Sequence, residues 1–326
     1  MKKNPYKCIL LALESDYRHA RNNLINIYER LNPKEIVVIG PSTLLPLIKE
    51  DSAATGLGGK LNFLDERELL SYDEVDRNYR NQMEKMCRLH QWREPVIRTG
   101  WYYQQFLKMQ YSFISEDQYY LSWDIDTLPL VEVEMLHESE KPIFDTKKEY
   151  VPTYFKLTEK LFGFGKILDD SFVSEHMLFH TSYMQEMIKE IEGLPVDGKK
   201  FYEKIISAIE EPNRGFSEFE TYGTWICKRH PSAYVVRDWK SMRNAGLFIE
   251  REALTEEDMA YLATGFDAAS FEKNQSAIPI FRTLFLDKEY RNGASADAFY
   301  EAFLQEGLMG EYTQGGIRVG ENIFPV

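Results

Sequence analysis

The sequence predicts an α/β fold whose central sheet is mixed but mainly parallel, is flanked by helices, and is followed by a helical C-terminal extension. Short, mostly apolar segments at residues 8–13, 36–39 and 61–64 are typical of buried strands. Amphipathic stretches separate these segments, and Gly, Pro and Asn residues stand at their boundaries. This alternation of strand and helix predicts parallel pairing with helices on the faces of the sheet.

The first helix is expected between the first two strands. Ser15 or Asp16 can cap it, and apolar residues recur at helical spacing over residues 20–31. Asn32 and Pro33 then end the pattern. The polar residues at 14–16 therefore follow the carboxyl end of a strand, where ligands bind in parallel sheets.

The later elements follow the same logic. Strands are expected at residues 119–123, 172–179 and 235–236. Helices are expected at residues 72–90, at 99–115 with Thr99 as cap, from Thr181, from Ser217, from Thr255 and at 295–304.

This order of elements predicts two domains. Residues 1–250 form the first domain, with two halves at about 1–130 and about 131–250. Residues 251–326 form the helical extension packed on it.

Composition excludes several classes of protein. The 326 residues are 44% apolar and 28% charged, which is typical of a globular chain with a sizeable core. The net charge of −13 argues against a general nucleic-acid binder and against an anionic bilayer as the main partner. Three scattered cysteines give no disulfide framework, so a cytoplasmic setting is expected. No stretch approaches a transmembrane span.

Two carboxylates, Asp124 and Asp126, follow the predicted strand at residues 119–123. Side chains two residues apart on a strand share a face, so both can reach one point. A divalent cation such as Mg²⁺ or Mn²⁺ would offset their repulsion, with substrate phosphates completing its coordination. The alternative is a polar strand end that leads into the turn at Leu128 and Pro129.

Three segments carry a resemblance to a known family. They are Gly100-Trp101-Tyr102-Tyr103-Gln104-Gln105-Phe106-Leu107-Lys108, Tyr120-Leu121-Ser122-Trp123-Asp124-Ile125-Asp126-Thr127 and Phe216-Ser217-Glu218-Phe219-Glu220-Thr221-Tyr222-Gly223. In their order and spacing, over residues 7–245, the chain resembles bacterial nucleotide-sugar-dependent glycosyltransferases of the GT-A fold, in a little-characterised group with the D-x-D motif. The resemblance implies a nucleotide diphosphate sugar donor (a UDP-sugar first of all), Mn²⁺ or Mg²⁺, and a glycan or other hydroxyl acceptor. By analogy, the setting is bacterial surface polysaccharide synthesis.

The same resemblance implies roles for individual residues. Asp126 would bind the cation directly, Asp124 would reach the ribose or the metal, and His230 is a candidate third ligand. The expected donor site comprises Leu13, Ser15, Asp16, Gln105, Lys108, Trp123, Asp124, Ile125, Glu175, His176 and Arg243. Alternatives remain for four of them, because Asp16 can simply cap a helix, Lys108 can be a solvated helix end, and Gln105 and Glu175 can be exposed surface residues. The resemblance also makes residues 1–250 a catalytic domain, with a nucleotide-sugar half at about 1–130 and an acceptor half at about 131–250. His176 and His180 are placed on one strand, about 13 Å apart, so they would not share an ion.

The acidic pair Glu218 and Glu220 is the candidate catalytic group. Glu218 is expected to face the acceptor and take the proton of its attacking hydroxyl. In a retaining reaction it would position or stabilise instead. Glu220 also fits a capping box with Ser217, and the two positions point about 200° apart on a helix. Both acids could also merely favour the positive start of the helix.

Two rival functions remain open. The motif at Asp124 and Asp126 also resembles that of haloacid-dehalogenase-type phosphatases, with Lys166 and the pair Asp169-Asp170 as later partners. The motif comes late in the chain for that family, and Asp169-Asp170 precedes a predicted strand instead of following one. The other rival is a non-catalytic nucleotide or glycan binder. Peripheral membrane association is an option, and the oligomeric state stays open.

Overall fold

The computed structural model describes residues 4–91, 94–148, 150–291 and 293–305, and the strand residues 312–313, 316–319 and 322–324. The strands are β1 (Lys7–Leu11), β2 (Ile36–Gly40), β3 (Leu61–Asp65), β4 (Tyr119–Trp123), β5 (Thr127–Pro129), β6 (Ile143–Thr146), β7 (His176–His180), β8 (Val235–Asp238), β9 (Ser241–Met242), β10 (Ala268–Ser270), β11 (Tyr312–Thr313), β12 (Gly316–Val319) and β13 (Asn322–Phe324). The helices are α1 (Glu14–Ala20), α2 (Leu24–Leu31), α3 (Leu45–Ala54), α4 (Tyr72–His90), α5 (Thr99–Gln110), α6 (Pro152–Phe162), α7 (Thr181–Gly193), α8 (Phe201–Ala208), α9 (Glu218–Arg229), α10 (Glu256–Leu262), α11 (Pro279–Leu286), α12 (Lys288–Arg291) and α13 (Ala296–Gln305).

The main sheet has the strand order β3-β2-β1-β4-β7 among the described residues. The first four strands run parallel, and β7 pairs antiparallel with β4. Connecting helices such as α3, α4 and α5 separate these strands along the chain, as parallel pairing requires. The predicted mixed, mainly parallel sheet flanked by helices is confirmed.

The strand order reverses at β1, which has β2 on one side and β4 on the other. Ile9 lies opposite Val37 of β2 and Ser122 of β4, so the carboxyl ends of the three strands lie side by side. In open α/β sheets, ligands bind outside the carboxyl ends of strands at such a reversal. A ligand is therefore expected near the residues that follow β1 and β4.

Local sequence explains how β2 ends at this edge. All five residues of β2 are buried, in keeping with their β-branched, apolar composition. A Cβ atom added to Gly40 would lie 2.2 Å from the carbonyl oxygen of Ala12. Only glycine therefore lets β2 end this close to the chain that leaves β1.

Helix α4 shows how the helices cover the sheet. Its N-cap Ser71 accepts a hydrogen bond from the backbone N–H of Glu74, and Gln91 ends it in the left-handed conformation. Its buried residues recur every three to four positions, namely Val75, Tyr79, Met83 and Met86. This face joins one hydrophobic core with residues of α5, α7, α8 and α9.

The chain divides into two compact units. The first unit comprises Met1–Glu14, Pro33–Asp124 and Met135–Asp238, and it contains the main sheet and the parallel pair β6-β8. The second unit comprises Ser15–Asn32, Ile125–Glu134 and Trp239–Val326. It contains the sheet β5-β10-β9 and a core in which Phe248 contacts the rings of Phe281, Phe285, Phe299 and Phe303.

The expected division of the chain at residue 250, and the donor and acceptor halves, remain predictions. The C-terminal part does contain the helices α10 to α13. Strands accompany them, because β10 joins β5 and β9, and β11, β12 and β13 form an antiparallel sheet of their own. The C-terminal region is therefore mixed in secondary structure.

Three predicted element boundaries are wrong. Helix α1 begins at Glu14, so Ser15 and Asp16 lie inside its first turn and do not cap it. Thr99 is the first residue of α5, and Arg98 is the N-cap. The Thr99 hydroxyl donates to Asp76 on α4. The strand predicted at 172–179 is shortened to His176–His180, since the preceding residue adopts a left-handed backbone.

No helix in the described ranges combines the length and the apolar character needed to cross a bilayer.

Candidate active site

A buried lysine joins two carboxylates at the end of β4. Lys108 Nζ on α5 lies 2.8 Å from Glu218 Oε1 and 3.0 Å from Asp124 Oδ1. The side chains of Lys108 and Glu218 are only 6% and 4% exposed, whereas that of Asp124 is 39% exposed. The three groups come from α5, β4 and α9, and Asp124 is the one that presents oxygen to solvent.

The electrostatics of this cluster follow from burial. Burial by itself would lower the pKa of the Lys108 ammonium, but the charges of Asp124 and Glu218 outweigh it and hold that pKa above its usual range. Burial raises the pKa of the Glu218 carboxyl, and the ammonium of Lys108 partly offsets this rise. The ammonium also lies 4.3 Å from the centroid of the Phe219 ring. Two acids therefore share one firmly held cation.

The start of α9 is fixed by a cap and a tether. Ser217 Oγ accepts a hydrogen bond from the backbone N–H of Glu220, as the sequence predicts. Gln105 Oε1 on α5 accepts from the backbone N–H of Glu218 at 3.1 Å. Gln105 is 3% exposed, and its amide holds α9 against α5. Its predicted contact with the donor remains a prediction.

Glu220 has different neighbours from Glu218, as expected for two positions on opposite faces of a helix. Its Oε2 accepts hydrogen bonds from Ser171 Oγ at 2.6 Å and from the backbone N–H of Phe172 at 3.2 Å. Glu220 is 1% exposed. It therefore secures the loop that leads into β7.

That loop contains a strained residue beside Asp124. Glu175 has a φ of 63°, in the left-handed region that non-glycine residues rarely adopt. Its side chain is buried against the ammonium of Lys147, and its carbonyl oxygen accepts the backbone N–H of Asp124 at 2.9 Å. Strain of this kind persists where the surrounding contacts over-determine it, and it clusters at functional sites.

Behind the strand tip, His176 stacks on Trp123 with ring centroids 4.6 Å apart and planes 25° apart. Its Nδ1 lies 2.8 Å from the carbonyl oxygen of Ser174, and its Nε2 lies 2.7 Å from Asp145 Oδ2. Arg237 binds both oxygens of Asp145 at 2.6 and 2.7 Å. Burial would raise the pKa of the Asp145 carboxyl, but the bonds from His176 and Arg237 outweigh it and lower that pKa.

Trp123 and His176 are 0% and 2% exposed. Both belong to the predicted donor site, and in the structure their rings are covered by protein. Their place is therefore beneath the strand tip, where they support Asp124.

Sequence reasoning missed Lys147, Asp145, Arg237 and Ser171. A signal for the first two was present, because polar residues follow the short apolar run at 142–144 and strand ends carry sites. Nothing in the sequence pairs them with Glu175 and His176.

The segment after β1 gives a mixed result. Leu13 is 57% exposed at the end of the strand, where a ligand can reach it. In the second unit, Lys273 Nζ lies 2.8 Å from Ser15 Oγ and 3.5 Å from Asp16 Oδ1. Asp16 is thus an exposed ion-pair partner on α1, and its predicted role toward the base or ribose remains a prediction.

The remaining predicted residues also lie in the second unit. Ile125 is buried, and its carbonyl oxygen accepts from Asn23 Nδ2 at 3.0 Å. Asp126 is half-buried, and its carbonyl oxygen accepts the backbone N–H of Phe271 at 2.9 Å. Arg243 is half-buried. The compact units meet in sequence between Asp124 and Ile125, so the D-x-D motif spans their boundary in the chain.

His230 does not suit the role of third metal ligand. It follows the last residue of α9, about 18 Å from Glu218 at the usual rise of ~1.5 Å per residue. Its ring stacks on Tyr183 with centroids 4.0 Å apart, and its Nε2 lies 3.1 Å from Glu186 Oε2. A cation at Asp124 would therefore be out of its reach.

The predicted metal site at Asp124 remains a prediction. Across the described ranges, no group of three or more His, Cys, Asp or Glu side chains could hold a metal by itself. Mg²⁺ commonly binds through one or two carboxylates plus substrate phosphates and water. Asp124 is a half-exposed carboxylate of that kind, and the predicted role of Asp126 as a metal ligand remains a prediction.

The phosphatase partners are engaged elsewhere. Lys166 Nζ donates to the carbonyl oxygen of Asp170 at 3.2 Å and lies over the rings of Phe155 and Tyr150. Three parallel strands precede β4 in the chain. Neither observation favours a phosphatase site at Asp124.

Comparison with known proteins finds solved glycosyltransferases. Mouse xyloside xylosyltransferase 1 in its apo form is 14% identical with a TM-score of 0.43, over 84% of this chain and 99% of that one. The galactosyltransferase LgtC, in complex with donor and acceptor sugar analogues, is 10% identical with a TM-score of 0.41, over 88% and 99%. GlyE of Streptococcus pneumoniae TIGR4 is 10% identical with a TM-score of 0.38, over 93% and 64%.

No family model and no curated protein matches the chain. The likeness to glycosyltransferases that the sequence predicts is found among solved structures. It is distant, and it assigns neither donor nor acceptor to this chain.

Proposed function

We propose that this protein transfers a sugar from a nucleotide diphosphate sugar to a hydroxyl acceptor at the cluster of Asp124, Lys108 and Glu218. The observation that carries the proposal is the buried ammonium held between two carboxylates at the carboxyl end of β4. This end adjoins the reversal of strand order, where ligands bind in such sheets. A fixed cation there suits the negative charge that develops on a departing diphosphate.

Asp124 is the substrate-facing acid in this proposal, because its side chain is 39% exposed. Glu218 was predicted to touch the acceptor, but its carboxylate is 4% exposed and is engaged by Lys108. We therefore assign it the positioning role that the sequence allows for a retaining reaction. It holds the ammonium in place and keeps it charged.

In this proposal the reaction needs no general base from the protein. The acceptor oxygen forms a bond to the anomeric carbon, and the bond from that carbon to the diphosphate oxygen breaks. The proton of the acceptor hydroxyl passes to the departing diphosphate. Lys108, whose side chain is 6% exposed, would act on the charge of this group from beneath Asp124, whose carboxylate it holds.

A divalent cation fits the half-exposed carboxylate of Asp124, and when bound it would neutralise the diphosphate charge as a Lewis acid. Binding of that cation by Asp126 is also a proposal. Mn²⁺ and Mg²⁺ are both proposals. So are a uridine diphosphate sugar as donor and a setting in surface polysaccharide synthesis.

The direct test is turnover of donors. The pure protein is incubated with a panel of nucleotide diphosphate sugars and either cation, and release of the nucleoside diphosphate is followed. Wild type should release it from at least one donor, and Asp124→Asn should not. Release of phosphate from an aryl phosphate would identify a phosphatase, and a shift in melting temperature without turnover would identify a binder.

A double-mutant cycle tests the role of Glu218. Glu218→Gln should lower kcat by about 10²-fold, since it weakens the hold on the stabilising cation. Lys108→Met should lower kcat at least as much, and the double variant should be no worse than Lys108→Met alone. Glu159→Gln, on the exposed face of α6, is the matched control. If the two losses simply multiply, Glu218 acts independently of Lys108, as an acceptor base would.

A further inference from the structure

An exposed but fixed aromatic ring stands at Tyr150 of the first unit. The residue is 61% exposed, yet its ring stacks on Phe155 with centroids 5.4 Å apart and planes 19° apart. Lys166 Nζ lies 5.4 Å from the centroid of Tyr150 and 4.7 Å from that of Phe155. We call Tyr150, Phe155 and Lys166 the aromatic platform. Its ring is oriented before any ligand arrives, so little side-chain entropy is lost on binding.

The aromatic platform is connected to the candidate active site through a series of hydrogen bonds. Lys147 and Ser171 exchange backbone hydrogen bonds of 3.0 and 2.7 Å, and Tyr150 follows Lys147 by three residues, within about 10 Å along the chain. Asp170, whose carbonyl oxygen accepts from the ammonium of the aromatic platform, directly precedes Ser171. Ser171 in turn donates to Glu220. The segments that follow β6 and α6 together therefore link the exposed ring to Glu220 of α9.

The chemistry of the aromatic platform selects carbohydrate. A pyranose ring has faces of C–H groups that pack on an aromatic ring, while its hydroxyl groups remain at the edge. The ammonium of Lys166 lies over the Tyr150 ring, 5.4 Å from its centroid, and from there it can donate to a hydroxyl at the edge of the sugar. A large rigid ring with a neighbouring polar donor is the composition typical of adaptable binding surfaces.

We propose that the aromatic platform binds a sugar ring of the acceptor, with Tyr150 as the stacking surface. The proposal deepens the transfer function proposed above and rests on it. Donor contacts are expected at Asp124, so a change at Tyr150 should separate acceptor binding from donor binding.

The experiment compares Tyr150→Ala, Tyr150→Trp and wild type, with Tyr290→Ala as control. Tyr290 is 48% exposed on α12 of the second unit, which makes it a matched exposed tyrosine. Each protein is probed on a microarray of defined oligosaccharides in the absence of donor, and donor hydrolysis by water is measured separately. Tyr150→Ala should weaken binding to the oligosaccharide that wild type retains by at least tenfold. Tyr150→Trp and Tyr290→Ala should bind within twofold of wild type.

Donor hydrolysis should stay within twofold of wild type in all three variants. Unchanged oligosaccharide binding by Tyr150→Ala would overturn the proposal, and so would retention of no oligosaccharide by wild type. Weaker donor hydrolysis with unchanged oligosaccharide binding would also overturn it, since the ring would then serve the donor. If wild type lacks donor turnover altogether, the transfer function fails while the array still decides whether Tyr150 binds sugar.

Discussion

At the scale of single residues, one buried lysine forms ion pairs with two acids. A lysine near the end of a helix is usually solvated, yet Lys108 is 6% exposed and contacts Asp124 and Glu218. Removing one partner of a buried ion pair costs far more than the pair contributes, because a charge is left without compensation. Lys108 therefore couples the stability of the fold to the site.

Lys108→Met should destabilise the protein in a pH-dependent way. Glu218 would then stay neutral in the folded state while ionising in the unfolded state above its ordinary pKa, so stability should fall as pH rises. We expect a loss of about 3 kcal/mol at pH 8 and clearly less at pH 5, measured by urea unfolding. Lys160→Met, which breaks an exposed pair with Glu210, should cost at most about 0.5 kcal/mol at either pH.

An equal loss at both pH values in Lys108→Met would contradict the coupling between Lys108 and Glu218. In wild type the raised pKa of Lys108 also makes stability fall as pH rises, but in a higher pH range. Its contribution to stability is fully present below the ordinary lysine range and is lost only as pH rises beyond it.

At the scale of elements, α9 carries both acids and is held by what surrounds it. Its first residue is tethered to α5, and Glu220 is bonded to the loop before β7. Gly223 packs directly on the Phe172 ring, where an added Cβ would lie 2.4 Å from ring atoms. The backbone N–H of Phe172 in turn donates to Glu220. The helix, the loop and the acids are thus one packed assembly.

Gly223→Ala should destabilise the protein although alanine favours helices. The intrinsic gain is about 1 kcal/mol, but the overpacking against Phe172 should cost about 2–3 kcal/mol and displace the loop that Glu220 holds. Turnover of a donor should fall together with the melting temperature. Gly100→Ala, in the first turn of α5 with open space at the Cβ position, is the control and should be neutral or slightly stabilising. Stabilisation by Gly223→Ala would show that Phe172 yields easily.

At the scale of the whole molecule, the parallel sheet collects polar residues at one edge. Four strands end there in the same direction, and β7 begins beside the end of β4, with His176 opposite Trp123. In the proposed function, Asp124 and the substrate phosphates would hold the cation together. Metal and nucleotide should therefore bind as a pair.

This expectation is measurable as a shift in melting temperature. Mn²⁺ alone or uridine diphosphate alone should change it little, whereas both together should raise it. Ligand at 100 times its Kd adds about 2.7 kcal/mol, which raises the melting temperature by roughly 4 °C for a chain of this size. Asp124→Asn should remove the joint shift. A full shift with Mn²⁺ alone would instead indicate a resident metal site.

Much of the fold was predictable because it depends on local patterns. Helix α4 was predicted over residues 72–90 and is found at Tyr72–His90. Its apolar spacing and its cap both depend only on residues close to it in the sequence. The parallel sheet follows from short buried strands alternating with helices. The strand predicted at 172–179 was wrong at its start, because the left-handed backbone of Glu175 depends on Lys147 and Asp124, which are distant in sequence.

The site was predictable only in part. Sequence pointed to the end of β4 and to the start of α9, because polar residues after a buried strand and acids at a helix start are visible in the chain. It did not reveal that Glu218 is buried or that Lys108 pairs with it. It also suggested His230 as a ligand, which the length of α9 rules out.

By itself the sequence determined the fold class, the positions of most helices and strands, and the edge of the sheet at which the site lies. These features depend on periodicity, caps and breaks within a few residues of one another. Only the tertiary structure decided which charges meet. Residues 108, 124 and 218 come together because α5, β4 and α9 pack against one core, and a charge excluded from water there must find its partner across the fold.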